Sequence, residues 1–136
     1  MTAAQFLEKW FSPDDLRAVP ELSVTEHMVD DEKRPVAKLF TPDGNLTWYV
    51  LEASAVIDRG DREVYAPLIH PKHGPQGGYA HPNCVDVLMF CLVEGYEKEF
   101  GYVSLRELAE LRGLLGLPVE RDMWWTPPLL SELVSW

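Results

Sequence analysis

The feature that most limits the possible folds is a nearly uninterrupted apolar run, VDVLMFCLV at residues 85–93. It is too short to cross a membrane as a helix, and less apolar segments bound it on both sides. A run of this kind is typical of a strand buried at the centre of a sheet. The sequence therefore predicts a sheet-based core with residues 85–93 as its central strand.

Three further segments carry the β-branched and aromatic residues of strands: Val36–Phe40, Leu46–Glu52 and Glu99–Val103. The first two flank a Thr-Pro-Asp-Gly turn at residues 41–44, so a hairpin is predicted. Residues 117–123 are expected to form a last strand or an extended edge. Strands outnumber long helices and the connections are too short for repeated crossovers, so we predict a single-domain α+β fold with an antiparallel sheet.

Helices are predicted at both ends of this sheet. Residues 2–11 form the first, and a second short helix begins after a Ser12 N-cap. Toward the C-terminus, Ser104 opens a helix that Gly113 is expected to end, and a final helical turn begins at about Thr126. The predicted architecture is thus a sheet with an N-terminal helical extension and two C-terminal helices.

Composition excludes several classes of protein. The chain has 136 residues, of which 46% are hydrophobic, and this is too apolar for a disordered chain. The N-terminus lacks the basic and apolar regions of a signal peptide, and the two cysteines, Cys84 and Cys91, are expected to be reduced thiols. These features predict a cytoplasmic location. A formal charge of −10 argues against direct binding of nucleic acid.

The negative charge is unevenly distributed. Residues 1–32 contain eight acidic and two basic residues, so −6 of the total −10 lies in the first quarter of the chain. We interpret residues 1–34 as an acidic helical extension, with residues 21–34 as a linker or exposed loop. Residues 35–136 form the α+β domain, interrupted by a Pro/Gly/His-rich insertion at about residues 55–83.

The strings VAKLFTPDG and TWYV (within residues 36–50), FGYVSLRELAELRG (100–113), LGLPVERDMWW (115–125) and LSEL (130–133) resemble a known family. It is a bacterial family of unknown function from plasmids, conjugative elements and phages. The resemblance covers about residues 35–54 and 86–133, and it leaves out residues 1–34 and the insertion. It implies a mobile-element setting, in which small acidic proteins often act on host defence or conjugation. The family has no established reaction, so it implies no catalytic residues.

One cluster of side chains has the donors of a metal site: His70, His73, His81 and Cys84. Nitrogen and sulfur ligands suit tetrahedral zinc, and a Gly-rich segment between the pairs would let them converge. The alternative is a Pro/Gly-rich loop with histidines exposed on its surface. The same residues underlie a second functional hypothesis, a small metal- or thiol-dependent hydrolase with Cys84 or Cys91 as nucleophile.

Carboxylates and aromatic residues form the remaining candidates. If residues 117–123 are a strand, Glu120 and Asp122 share one face while Arg121 lies on the other, an arrangement suited to ion pairs more than to catalysis. Trp48 and Tyr49 alternate on a strand, so one is expected in the core and the other exposed or at an edge. An exposed Trp124 or Trp125 would make a protein-contact anchor, although packing of these rings inside the protein is an equal alternative.

These patterns lead to a non-enzymatic hypothesis, in which the chain is an acidic module that binds another protein and needs no cofactor. In its sharpest form, it is an anti-defence inhibitor (anti-CRISPR or anti-restriction) that blocks a nucleic-acid-binding surface of a bacterial immune complex. An accessory role in conjugation or replication is a further alternative. The residues expected to carry protein binding are Asp14, Asp15, Asp30, Asp31, Glu32, Trp124 and Trp125.

Overall fold

A computed structural model of the chain describes residues 3–68 and 83–134. The described helices are α1 (Ala3–Trp10), α2 (Pro13–Ala18), α3 (Leu105–Glu110) and α4 (Leu130–Val134). The described strands are β1 (Ala37–Phe40), β2 (Thr47–Asp58), β3 (Glu63–Ala66), β4 (Cys84–Glu94), β5 (Lys98–Ser104) and β6 (Glu120–Arg121).

The described strands form one antiparallel sheet in the order β5-β4-β2-β1-β6. The long strand β2 pairs with β4 along one edge, and its other edge is shared by β1 near its start and β3 near its end. The predicted α+β fold is therefore confirmed, with the apolar run of residues 85–93 as an interior strand. The predicted hairpin joins β1 to β2, and two helices follow the last long strand.

Helices pack on both faces of the sheet: α1, α2 and α3 lie on one face, and α4 covers part of the other. The first, larger core contains Val50, Met89 and Cys91 from the strands together with residues of these three helices. The second core contains Tyr49, Leu92 and Leu130. The prediction that only one of Trp48 and Tyr49 is buried is wrong. Trp48 faces the first core and Tyr49 the second, and both are buried.

The acidic N-terminal segment belongs to the first core. Leu7, Trp10, Phe11, Leu16 and Val19 are all buried there. The Ser12 N-cap of α2 is formed as predicted, and reciprocal bonds between Ser12 and Asp15 make it a capping box.

Residues 21–34, predicted as a linker or an exposed loop, are for the most part an exposed loop. The linker alternative is wrong for the first part, which is bonded to the sheet and fills the gap between β1 and β3 on the edge of β2. The Ala53 N–H donates to the Pro20 carbonyl oxygen at 2.9 Å. The buried carboxylate of Glu52 accepts bonds from the Ser23 and Thr25 N–H groups and from the Thr25 hydroxyl. Glu52 follows a β-bulge after Val50, which turns its side chain toward this segment.

Three predicted boundaries are also wrong. The strand pattern does not break at Ala55, because β2 continues to Asp58 and β3 follows at Glu63–Ala66. Helix α3 ends at Glu110 and not at Gly113, since Leu111 is already extended. The last helix begins at Leu130 and not at about Thr126. The prediction of a last strand or extended edge at residues 117–123 is confirmed, since Glu120–Arg121 forms the edge strand β6 and Pro118 makes a β-bridge to Arg112.

Candidate functional site

Of the four predicted metal ligands, the structure describes only Cys84. His70, His73 and His81 lie outside the described residues. Among the residues that are described, no group of three or more His, Cys, Asp or Glu side chains is close enough to hold a metal.

Both cysteines are described, and their surroundings favour the neutral thiol. Cys84 is half-buried and its Sγ donates to the Asp86 carbonyl oxygen at 3.1 Å. Burial, with a contribution from the Asp86 carboxylate, raises the pKa of the Cys84 thiol. Cys91 is buried in the first core, which raises its pKa strongly. A nucleophilic thiolate at neutral pH needs the opposite shift.

The acids predicted to bind a protein lie in two separate groups. Asp14 and Asp15 are on α2, which packs on the first face of the sheet. Asp14 is exposed and pairs with Arg17 at 2.6 Å, whereas Asp15 is largely buried and pairs with Arg121. Arg121 also donates to the Trp10 carbonyl oxygen. Asp15 therefore joins α2 to the sheet.

The second acidic group consists of Asp30, Asp31 and Glu32, all exposed. Its backbone is bound to α4, on the opposite face of the sheet. The Ser131 N–H donates to the Asp30 carbonyl oxygen at 3.2 Å, and the Leu130 N–H to that of Lys33 at 2.8 Å. The two acidic groups thus flank different layers of the molecule.

The predicted tryptophan anchors differ from each other. Trp125 is half-buried against Tyr49, with ring centroids 5.7 Å apart, and closes the second core. Trp124 is 96% exposed, in a turn where its N–H donates to the Asp122 carboxylate. Asp122 also pairs with Lys38 at 3.5 Å, and Glu120 is exposed. Both acids lie on the face opposite Arg121, as strand alternation predicts.

Sequence reasoning missed the most distinctive surface, a loop at residues 113–117 (GLLGL), which we call the leucine loop. A β-bridge between Arg112 and Pro118 closes its base. Within it, the Gly113 N–H donates to the Leu117 carbonyl and the Gly116 N–H to the Gly113 carbonyl, both at 3.0 Å. Gly116 has a φ of +83°, the left-handed conformation that ends a three-residue hairpin loop.

A carboxylate from a distant turn holds this loop in place. Asp43 Oδ2 accepts the Leu115 N–H at 2.6 Å and the Leu117 N–H at 3.1 Å. Gly113 makes this approach possible, because a Cβ on it would lie 1.6 Å from Asp43 Oδ1. The TPDG turn and the LRGLLGLP string, far apart in sequence, therefore form one structural unit.

The unit presents apolar side chains to solvent. Leu114 is 93% exposed and Leu115 82% exposed. The neighbouring turn between β4 and β5 adds Tyr96, which is 99% exposed. Between them lies a groove of about 520 Å³ whose lining includes Tyr96, Leu111 and Leu114. We refer to Leu114, Leu115 and Tyr96 as the apolar tip.

Comparison with known proteins finds a family that is similar to part of this chain. Residues 84–135 match the family described as "Protein of unknown function (DUF2958)". The matched segment contains the whole apolar tip but not Asp43. No curated protein and no solved structure matches the chain. Within the described residues, no helix has the length and apolar character needed to span a membrane. Over residues 84–135, the chain is thus similar to a family of small domains without an assigned function.

Proposed function

We propose that this chain is a non-enzymatic protein-binding module that inserts its apolar tip into an apolar pocket of a partner. The observation that carries the proposal is the pair of almost fully exposed leucines on a loop held by the Asp43 carboxylate.

Two physical arguments support this role. An exposed leucine gains about 1.5–3 kcal/mol when it is buried, so Leu114 and Leu115 offer substantial binding energy to a suitable pocket. The bonds from Asp43, together with the closed hairpin geometry, order the loop before any partner arrives. A preordered loop loses little conformational entropy on binding, which preserves more of that energy as affinity.

The test is a comparison of two variants. Immobilised wild-type chain is exposed to a bacterial lysate and the retained proteins are identified by mass spectrometry. The affinity of each purified partner is then measured by calorimetry. We expect Leu114→Ser with Leu115→Ser to weaken binding by about 100-fold or more, with an unchanged melting temperature.

The control is Val29→Ser, which removes an exposed apolar side chain elsewhere on the surface. This variant should bind like the wild type. Equal binding by the leucine variant and the wild type would overturn the role of the tip.

The specific form of this role that we propose is inhibition of a host defence complex by a cytoplasmic protein of a mobile element. Its support is the net charge of −10, the exposed carboxylates of Asp14, Asp30, Asp31 and Glu32, and the sequence resemblance. Exposed acidic groups of this kind complement a basic nucleic-acid-binding site. A role in conjugation or replication uses the same binding surfaces with a different partner.

A further inference from the structure

Strand β5 ends the described sheet on one side. It runs for seven residues, Lys98–Ser104, and pairs with β4 along one edge only, as far as the described residues show. At its middle, Gly101 has no atom within 4 Å of where a Cβ would stand. Since no described strand pairs with the other edge of β5, its outward main-chain donors and acceptors are, within residues 3–68 and 83–134, open to an added strand.

One face beside this edge is aromatic. Phe100 and Tyr102 are two positions apart on β5 and therefore share this face, and both are about half exposed. Phe90 on β4 contacts both rings, with centroids 5.7 Å from Phe100 and 5.1 Å from Tyr102. Beyond them, a groove of about 590 Å³ continues between Tyr102, Tyr65 and Val24. Helix α4 packs at the Tyr49 end of this face, so these half-exposed rings form an apolar surface that no described helix covers.

The other face beside the edge is acidic. Glu99 lies between Lys98 and Phe100 in β5, so its side chain points to the face opposite theirs. It is exposed there. Helix α3 packs on the same face and carries the exposed Glu107 and Glu110. On this side of the sheet Glu99, Glu107 and Glu110 outnumber Arg106, the one basic residue of α3.

We propose that the free edge of β5 binds an extended segment of another protein in which apolar residues alternate with lysine or arginine. Successive side chains of a strand point to opposite faces, so such a segment places its apolar side chains against Phe100 and Tyr102. Its basic side chains then lie on the side of Glu99 and α3. This site is independent of the apolar tip and does not rest on the role proposed for it.

A second copy of this chain fits the edge less well. If the β5 strands of two copies paired antiparallel with their Gly101 residues opposite each other, Glu99 of one copy would lie opposite Val103 of the other. Such pairing would bring no basic side chain to the acidic face. It would also join two chains that each carry a charge of −10.

The probe is a synthetic nonapeptide that alternates lysine and valine, with both ends blocked. We expect it to bind the full chain, and we expect two control peptides not to bind. In the first control glutamate replaces lysine. In the second, alternate backbone nitrogens are methylated, which removes the hydrogen bonds of strand addition. Equal binding of the first control would overturn the charge preference, and equal binding of the second would overturn strand addition.

Matched variants locate the site. Glu99→Lys should weaken binding of the lysine–valine peptide by about fivefold or more, whereas Glu63→Lys on the exposed strand β3 should have no effect. Phe100→Ser with Tyr102→Ser should weaken peptide binding more than Glu99→Lys does. Thermal unfolding verifies that this double variant is folded. Leu114→Ser with Leu115→Ser should leave peptide binding unchanged, which separates this proposal from the apolar tip. Unchanged binding by Glu99→Lys, or a dimer of the chain by sedimentation without peptide, would overturn it.

Discussion

Glu52 is a buried carboxylate whose hydrogen-bond partners are all neutral. It accepts two backbone N–H groups and one hydroxyl, all from residues 23–25. Ser23 has a φ of +70°, which costs a non-glycine residue about 1 kcal/mol or more. The bonds to Glu52 offset this strain and attach the segment to the sheet. In the sequence Glu52 is only the last letter of LTWYVLE, and nothing there indicates that it is buried.

Asp15 makes stability depend on pH. Burial by itself would raise its pKa, but hydrogen bonds from Arg121 and Ser12 outweigh this effect and lower the pKa below the ordinary value of 3.8. The folded state therefore binds fewer protons than the unfolded state. The resulting stabilisation is complete above about pH 4 to 5 and is lost as the pH falls through the lowered pKa.

We expect Asp15→Asn to lower the free energy of unfolding at pH 7 and to flatten its decline under acid. Urea unfolding at pH 7 and at pH 3 measures both effects. The control is Asp14→Asn, which removes a solvent-exposed ion pair and should cost about 0.5 kcal/mol or less. A parallel decline of stability in wild type and Asp15→Asn would show that Asp15 is not the titrating group.

At the scale of elements, the leucine loop depends on its contact with the β1–β2 turn. Gly113→Ala forces a Cβ into the space of the Asp43 carboxylate, so the loop must shift and lose the bonds to Leu115 and Leu117. We expect the free energy of unfolding to fall by about 2 kcal/mol, given the strength of hydrogen bonds to a charged group. Chemical denaturation, with amide hydrogen exchange at Leu115 and Leu117, measures this loss.

Two further variants test the cause of that loss. Gly101→Ala should cost little, since nothing lies near its Cβ position. If the collision with Asp43 is the cause, then Gly113→Ala should add almost nothing to Asp43→Ala. Additive costs in the double variant would contradict this explanation.

At the scale of the whole molecule, the acids of the N-terminal segment do not form one surface. Asp15 is bound internally, and the exposed Asp14 and Asp30–Glu32 flank opposite faces of the sheet. Reversing all of them together would therefore mix a folding defect with a binding defect.

A sharper experiment reverses Asp30, Asp31 and Glu32 to lysine and leaves Asp15 intact. If an acidic surface mimics nucleic acid, then binding to a captured basic partner should weaken about tenfold or more. The difference from wild type should shrink at high salt. Calorimetry at two salt concentrations measures the affinity of each variant for the partner. Asp14→Lys is measured alongside, as a single charge reversal on the other face of the sheet. Unchanged affinity in both variants would exclude mimicry by these residues.

Periodicity and capping depend on neighbours in the chain, and at this level the sequence was informative. The strand at the apolar run of residues 85–93, the hairpin at the TPDG turn and the Ser12 N-cap all form as their patterns predict. The sequence alone also determined the net charge and its concentration before residue 33.

Contacts between distant residues were decided only by the tertiary structure. Asp43 and the leucine loop are more than 70 residues apart, yet one carboxylate determines the conformation of the loop. The same holds for Asp15 with Arg121 and for Glu52 with residues 23–25. Whether an acid is a surface charge or a buried acceptor depends on which donors the fold brings to it. For that reason the exposed leucines, and not the clustered acids, became the leading candidate site.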